Sequence, residues 1–176
     1  LWLYGGAYDA PVALLTRISP LDLYDTRHLC NAVVGFLGAV AAYRFGALLS
    51  GPLGGCLAAF FLVLTPRYFG HAFNNPKDIP FAVGYLWSLY LLAAYLPRLP
   101  RRPLTDLLKL GLAIGLTMGT RVHGVVLLAY VGLFTCVRHV LERRGNDGPS
   151  LAATGARVLL VAACAWIVML AFWPWA

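Results

Sequence analysis

PRYFGHAFNNPKDIPF, residues 66–81, sets Arg67, His71, Asn74, Asn75, Lys77 and Asp78 between two long apolar runs. That density of ionisable and hydrogen-bonding groups is costly beside hydrocarbon. The stretch therefore reads as a functional connection at a membrane surface, and the runs on either side as spans. Pro66, Pro76 and Pro80 are expected to block a continuous helix and leave backbone groups free to line a cavity.

Composition agrees with that reading. Of 176 residues, 60% are hydrophobic and 12% charged, outside the balance of a soluble globular domain. The expected fold class is all-α, a polytopic membrane helical bundle of about six spans with an interfacial outer segment. The net charge of +7 would suit nucleic acid in a soluble protein. Here the basic residues lie between apolar runs, where they set topology and meet lipid phosphates, so no nucleic-acid partner is expected. Cys30, Cys56, Cys136 and Cys164 are scattered, with no CxxC and no His/Cys cluster, so neither a disulfide framework nor a metal site is expected.

Outward from residues 66–81, the apolar runs give the spans. His28–Leu49 is the first, Ser50-Gly51-Pro52 turns the chain, and Leu53–Thr65 returns it. Ile79–Leu96 is the third span, closed by the basic Pro97–Pro103 connector. Leu104–Val137 as one helix would measure roughly 50 Å, against a hydrocarbon core of about 30 Å. Both of its flanks are basic, so it reads as two short antiparallel spans that turn at Thr120–Gly124. Glu142–Gly155 is a polar inner loop, and Arg157–Trp173 crosses outward into an aromatic belt. Residues 1–27, with a short amphipathic run at 11–18, form an outer interfacial segment. Residues 1–176 read as a single membrane-embedded core, cut at both ends.

This topology sorts the charge. Arg44, Arg98, Arg101, Arg102, Lys109, Arg138, Arg143, Arg144 and Arg157 face inside, whereas Arg17, Arg27, Arg67, Lys77 and Arg121 face outside. Asp9, Asp22, Asp25 and Asp78 are outside too, so mixed charge gathers on the outer face and chemistry is expected there. Gly111, Gly115 and Gly119 form a small-residue stripe for close helix approach.

A carboxylate among cations at headgroup depth can act as general base towards a hydroxyl while the cations hold a phosphate leaving group. Asp78 is the candidate catalytic carboxylate. Arg27, His28, Arg67, His71, Asn75, Lys77, Arg121 and His123 are the candidate substrate-binding residues. Lys77 and Asp78 equally suit a plain helix start, where an acidic residue is favourable. Arg27 also suits an interfacial anchor, and Asn74 and Asn75 a turn before Pro76.

Four stretches, YGGAYDAPVALL, DLYDTRHLCNAVVGFLGAVAAYR, LTPRYFGHAFNNPKDIPFA and LGLAIGLTMGTRVHGVVLLAY, occur in this order between Tyr4 and Tyr130. Together they resemble the bacterial multi-span glycosyltransferases of the protein-mannosyltransferase-like superfamily (GT-C, glycosyltransferase family 39-like). PRYFGHAFNNPKD is the most specific part of the resemblance. It implies sugar transfer from a polyprenyl phosphate to a protein, lipid or glycan acceptor on the extracytoplasmic face, with no cofactor and no required metal. It also implies a multi-pass protein of a bacterial inner or plasma membrane. The family's leading acidic motif, an Asp or Asp-Glu pair in the first outer loop, has no counterpart here and is expected upstream of Leu1. Asp9 does not stand in for it, because its Tyr-Gly-Gly context resembles a later part of that loop. The stretch alone is therefore expected to be inactive. A secondary transporter or flippase for a lipid-linked or anionic substrate is the competing reading; against it, no inverted repeat is visible and no charge falls mid-span in the first three helices.

Overall fold

Asp22 starts the longest element of the chain. In the computed structural model, which describes residues 5–96, 103–143 and 150–173, its carboxylate accepts from the backbone N–H of Tyr24 (2.6 Å) and Asp25 (2.9 Å). Helix α2 (Leu23–Leu64) follows. It is preceded by α1 (Asp9–Ile18), and Asp25 and Arg27 belong to the opening turns of α2.

α2 is not straight. Ser50 and Gly51 leave helical geometry, Gly51 with φ 77°, a left-handed conformation that side chains resist, and Pro52 restarts the helix. A Cβ on Gly55 would lie 2.6 Å from the Tyr43 carbonyl oxygen, and one on Gly46 would lie 2.9 Å from Ala58 Cβ. Twelve residues along a straight helix span about 18 Å, so these contacts define a hairpin of two antiparallel arms, 23–49 and 52–64. The expected turn at Ser50–Pro52 is present.

The returning arm covers about 20 Å, too little to cross hydrocarbon by itself. α3 (Pro66–Asn74) continues it down the side of the first arm, with Tyr68 against Gly38 and Ala72 against Gly35. A continuous helix over residues 66–81 is blocked, as expected, but only at its middle, and both sides of the break are helical. Pro66 occupies the first turn of α3 and Pro80 the first turn of α4 (Asp78–Tyr95), where a missing N–H costs nothing. Only Asn75–Lys77 separates the two helices.

α5 (Leu104–Met118) ends at Gly119, a short 3-10 turn covers Val122–Val125, and α6 (Val126–Arg143) and α7 (Leu151–Phe172) complete the chain. α5 and α7 run parallel, since Gly111 meets Cys164 and Gly115 meets Ala165 and Val168. α6 runs against α7, with Thr154 Oγ1 3.4 Å from His139 Nδ1. The 34-residue stretch therefore breaks and reverses where its length and flanking charge required. The glycine stripe does what its spacing suggested: a Cβ on Gly115 would stand 2.6 Å from the Ala165 carbonyl oxygen.

The core is a seam among α4–α7, built on Leu92, Leu110, Ile114, Met118, Leu127 and Val161. Outside it, Phe36, Leu49, Leu53, Phe61, Leu159 and Ile167 stay largely exposed, the pattern of helices whose solvent is lipid. Among the described residues, three helical stretches are long and apolar enough to cross a membrane: Leu23–Leu64, Val122–Leu141 and Leu151–Phe172. That is fewer than the six expected. α4 and α5, with 18 and 15 residues, are too short or too mixed in polarity to count alone. Residues 1–4, Pro97–Arg102 with Arg98, Arg101 and Arg102, the inner-loop residues 144–149 with Arg144, and Trp175 lie outside the described residues.

Candidate functional site

Helix directions bring one set of ends together. The start of α4, the end of α3, the α5–α6 turn and the chain's first described residues meet at one end of the bundle. Gly5 N–H donates to the Thr120 carbonyl (3.3 Å), Ala7 N–H to Gly119 (3.1 Å) and Gly6 N–H to Phe172 (3.1 Å). Backbone hydrogen bonds thus pin the turn that carries Arg121. The side chain of Tyr8 packs beneath this segment, and its phenol is pushed up to about 12, by burial first and then by Cys30 and Asp9, against the lowering effect of Arg27.

Asp78 lies at the centre. One carboxylate oxygen pairs with the Arg121 guanidinium, and the other accepts from Asn75 Nδ2 at 2.7 Å. The Arg121 side chain is 27% exposed and that of Asp78 51%, so the pair is wet on the carboxylate side. Arg121 also lies over the Phe81 ring, 5.9 Å from its centroid.

Asn75 organises the corner. Its Oδ1 accepts from the N–H of Lys77 (3.2 Å) and Asp78 (2.9 Å), capping α4, while Nδ2 contacts both Asp78 and His71 Nδ1, the latter at 2.8 Å. Thr65, Arg67, Tyr68, His71, Asp78, Ile79 and Ala82 line a cavity of about 300 Å³. Tyr68 and Ala82 also line a second, apolar cavity of about 420 Å³, together with Gly38, Leu62, Phe81, Val83, Tyr85, Leu86 and Leu89. The cavity that carries Arg67, His71 and Asp78 therefore shares a wall with a groove lined by apolar and aromatic side chains. Tyr68 stands at the junction, its hydroxyl donating to the Gly35 carbonyl at 2.7 Å.

Five of the residues singled out in the sequence, Arg67, His71, Asn75, Asp78 and Arg121, come together here, and exposed Lys77 adjoins them. Three stand apart from the cavity. Arg27 pairs with Asp9 at 2.9 Å, His28 stacks on Tyr24 at 4.6 Å, and His123 is exposed on the 3-10 turn. Asn31 escaped the sequence reading. It is 1% exposed, and its Nδ2 donates to the carbonyls of His71 (3.1 Å) and Ala72 (3.0 Å), tying the end of α3 to the first arm. Its signal was an amide alone inside an apolar run.

The model of one protein family, dolichyl-phosphate-mannose-protein mannosyltransferase, matches residues 13–173. No curated protein and no solved structure matches the chain.

Proposed function

This chain belongs to the dolichyl-phosphate-mannose-protein mannosyltransferase family, a family of integral membrane glycosyltransferases, and we propose that it transfers a sugar from a polyprenyl-phosphate donor to an acceptor hydroxyl on the extracytoplasmic face. The observation that carries this reading is the wall at Tyr68 and Ala82 shared by the cavity that bears Arg67, His71 and Asp78 and by the apolar groove. A polyprenyl-phosphate sugar has the same two parts, an anionic phosphodiester head and a branched hydrocarbon tail. The phosphate would lie in the polar cavity beside Arg67 and His71, with the first prenyl units against Leu62, Leu86 and Leu89.

In the transfer, the acceptor oxygen bonds to the anomeric carbon, the bond from that carbon to the phosphate oxygen breaks, and polyprenyl phosphate leaves. The acceptor proton needs a base. We assign that role to Asp78, and its contacts with Arg121 and Asn75 support the assignment. The Arg121 pairing limits the swing of the carboxylate, while its half-exposed side leaves room for an acceptor. Family membership favours this transferase reading over a transporter.

Asp78→Asn keeps the shape and removes the charge. Turnover is expected to fall about a hundredfold or more with donor affinity held within a few-fold, the pattern of an interaction made in the transition state. The measurement is a transfer assay with a polyprenyl-phosphate sugar on the full-length protein, its upstream outer loop included, run beside equilibrium donor binding. Normal turnover in a folded variant sinks the role of Asp78 and leaves it as an acidic residue favoured at the start of α4.

A further inference from the structure

Asn75 makes four short polar contacts with one side chain, and their combination fixes a proton elsewhere. Its amide orientation is settled by its partners. The two backbone N–H groups of Lys77 and Asp78 require an acceptor, which must be Oδ1, and the Asp78 carboxylate requires a donor, which must be Nδ2. A flipped amide would face donors with donors and a carboxylate with an oxygen. With the amide set, the same Nδ2 group that meets Asp78 lies 2.8 Å from His71 Nδ1. A donor on that side requires Nδ1 to be an acceptor, so the proton of the neutral ring is on Nε2.

His71 is fixed as firmly from its backbone. Its carbonyl accepts from buried Asn31 Nδ2 (3.1 Å) and from Asn75 N–H (2.9 Å), so the end of α3 cannot rotate the ring away. Nδ1 being taken, Nε2–H is the ring's remaining polar group, on a residue that lines the polar cavity with Arg67 and Asp78. We propose that Asn75 is a positioning residue: it locks His71 in the Nε2–H tautomer and so presents an imidazole N–H as a hydrogen-bond donor to the phosphate in that cavity. His71 is then neither a base nor a metal ligand in the resting site. The donor half of this inference rests on the proposed function; the tautomer half does not. The arrangement also separates two jobs within one short turn: the Asn75 oxygen caps α4, and its nitrogen orders Asp78 and His71.

Two readouts on the full chain in lipid nanodiscs test it. The first is the tautomer of His71 by 15N NMR of ring-labelled histidine, assigned with His71→Gln and read at a pH where the ring is neutral. Asn75→Ser keeps a capping oxygen for α4 but removes the amide donor. The expected result is a single Nε2–H tautomer in the wild type and a mixture in Asn75→Ser, at nearly unchanged thermal stability. The second readout is affinity for a short-chain polyprenyl phosphate carrying no sugar. Asn75→Ser and His71→Ala should each weaken it by about tenfold, one charge-assisted hydrogen bond, and the double variant little further. An Nδ1–H tautomer in the wild type overturns the lock. The expected tautomer with additive losses, or with unchanged affinity in Asn75→Ser, overturns the coupling of Asn75 to phosphate through His71. Failure of the wild type to bind the phosphate lipid at all, with the tautomer as expected, overturns the donor site of the proposed function and with it the donor role of His71.

Discussion

The α5–α7 seam and the α3–α4 corner are held together by different physics. Along the seam, Gly111 and Gly115 let α5 lie directly on α7, and the contacts are mainly apolar, through buried Leu110, Ile114, Val161 and Ala165, with the Cys164 thiol 3.8 Å from the Leu108 carbonyl. At the corner, Asn31, Asn75, Asp78 and Arg121 hold two short helices by side-chain hydrogen bonds and one ion pair. In lipid, apolar area supplies little drive for one helix to meet another, so close van der Waals packing has to supply it. A site, in contrast, needs defined donors and acceptors, and these are what the corner spends its residues on. The seam is a platform and the corner is the tool mounted on it.

The largest expected break is therefore in the seam. Gly115→Leu would drive a side chain into the Ala165 carbonyl and Val168, whose atoms lie 2.6 Å from even a Cβ. Overpacking of this kind costs about 3 kcal/mol, and with no route for α7 to retreat, folded yield and thermal stability in detergent should both fall sharply. Retention of wild-type stability would mean that α5 and α7 do not pack as described.

Next in size is a break at the corner. Asn31→Leu fits the same buried space but leaves the His71 and Ala72 carbonyls without their side-chain donor, at a cost of about 2 kcal/mol. The loss should be local. Hydrogen exchange should rise in α3 and hardly at all in α5 and α7, and donor affinity should fall with it. A uniform rise through both regions would erase the contrast between seam and corner.

The smallest effect concerns the segment that pins the Arg121 turn. The Tyr8 phenol is raised from 10 to about 12 in the fold, chiefly by burial, so its neutral form suits the native state. A raised folded value means that this contribution is complete below pH 10 and is lost as pH climbs from 10 towards 12. Tyr8→Phe should leave neutral-pH stability nearly unchanged, because the buried hydroxyl has no hydrogen-bond partner among the described residues, and should flatten the alkaline loss. Thermal unfolding followed from pH 7 to 11 checks the sign.

The same contrast explains what could be read from the sequence. Apolar length, basic flanks and the glycine spacing are statements about packing and solvent, so the helical class, the turn at Ser50–Pro52, the reversal near Thr120 and a close helix approach at Gly111 and Gly115 were legible, though not that α7 is the partner. The corner is written in individual partners. Arg67, His71, Asn75, Asp78 and Arg121 could be named as polar outliers, but nothing in their spacing says that Arg121 pairs with Asp78 or that Arg27 pairs with Asp9. The meaning of proline depends on position: Pro76 lies in the break between α3 and α4, whereas Pro66 and Pro80 sit in first turns. The count of spans exceeded what length and polarity support because the arm 52–64, α4 and α5 were each read as crossing alone, whereas the arm is part of kinked α2 and neither α4 nor α5 is long and apolar enough.

The central claim is that the groove beyond Tyr68 holds the hydrocarbon of a lipid-linked phosphate whose head lies in the polar cavity. A polyprenyl phosphate carrying a diazirine on one of its first prenyl units, photolysed on the protein in nanodiscs and mapped by peptide mass spectrometry, tests it directly. The account predicts labelling at Leu62, Tyr68, Leu86 and Leu89, competed away by unlabelled polyprenyl-phosphate sugar. Labelling that is not competed, or that falls on the lipid-facing side of α7 at Leu159 and Ile167, would contradict it.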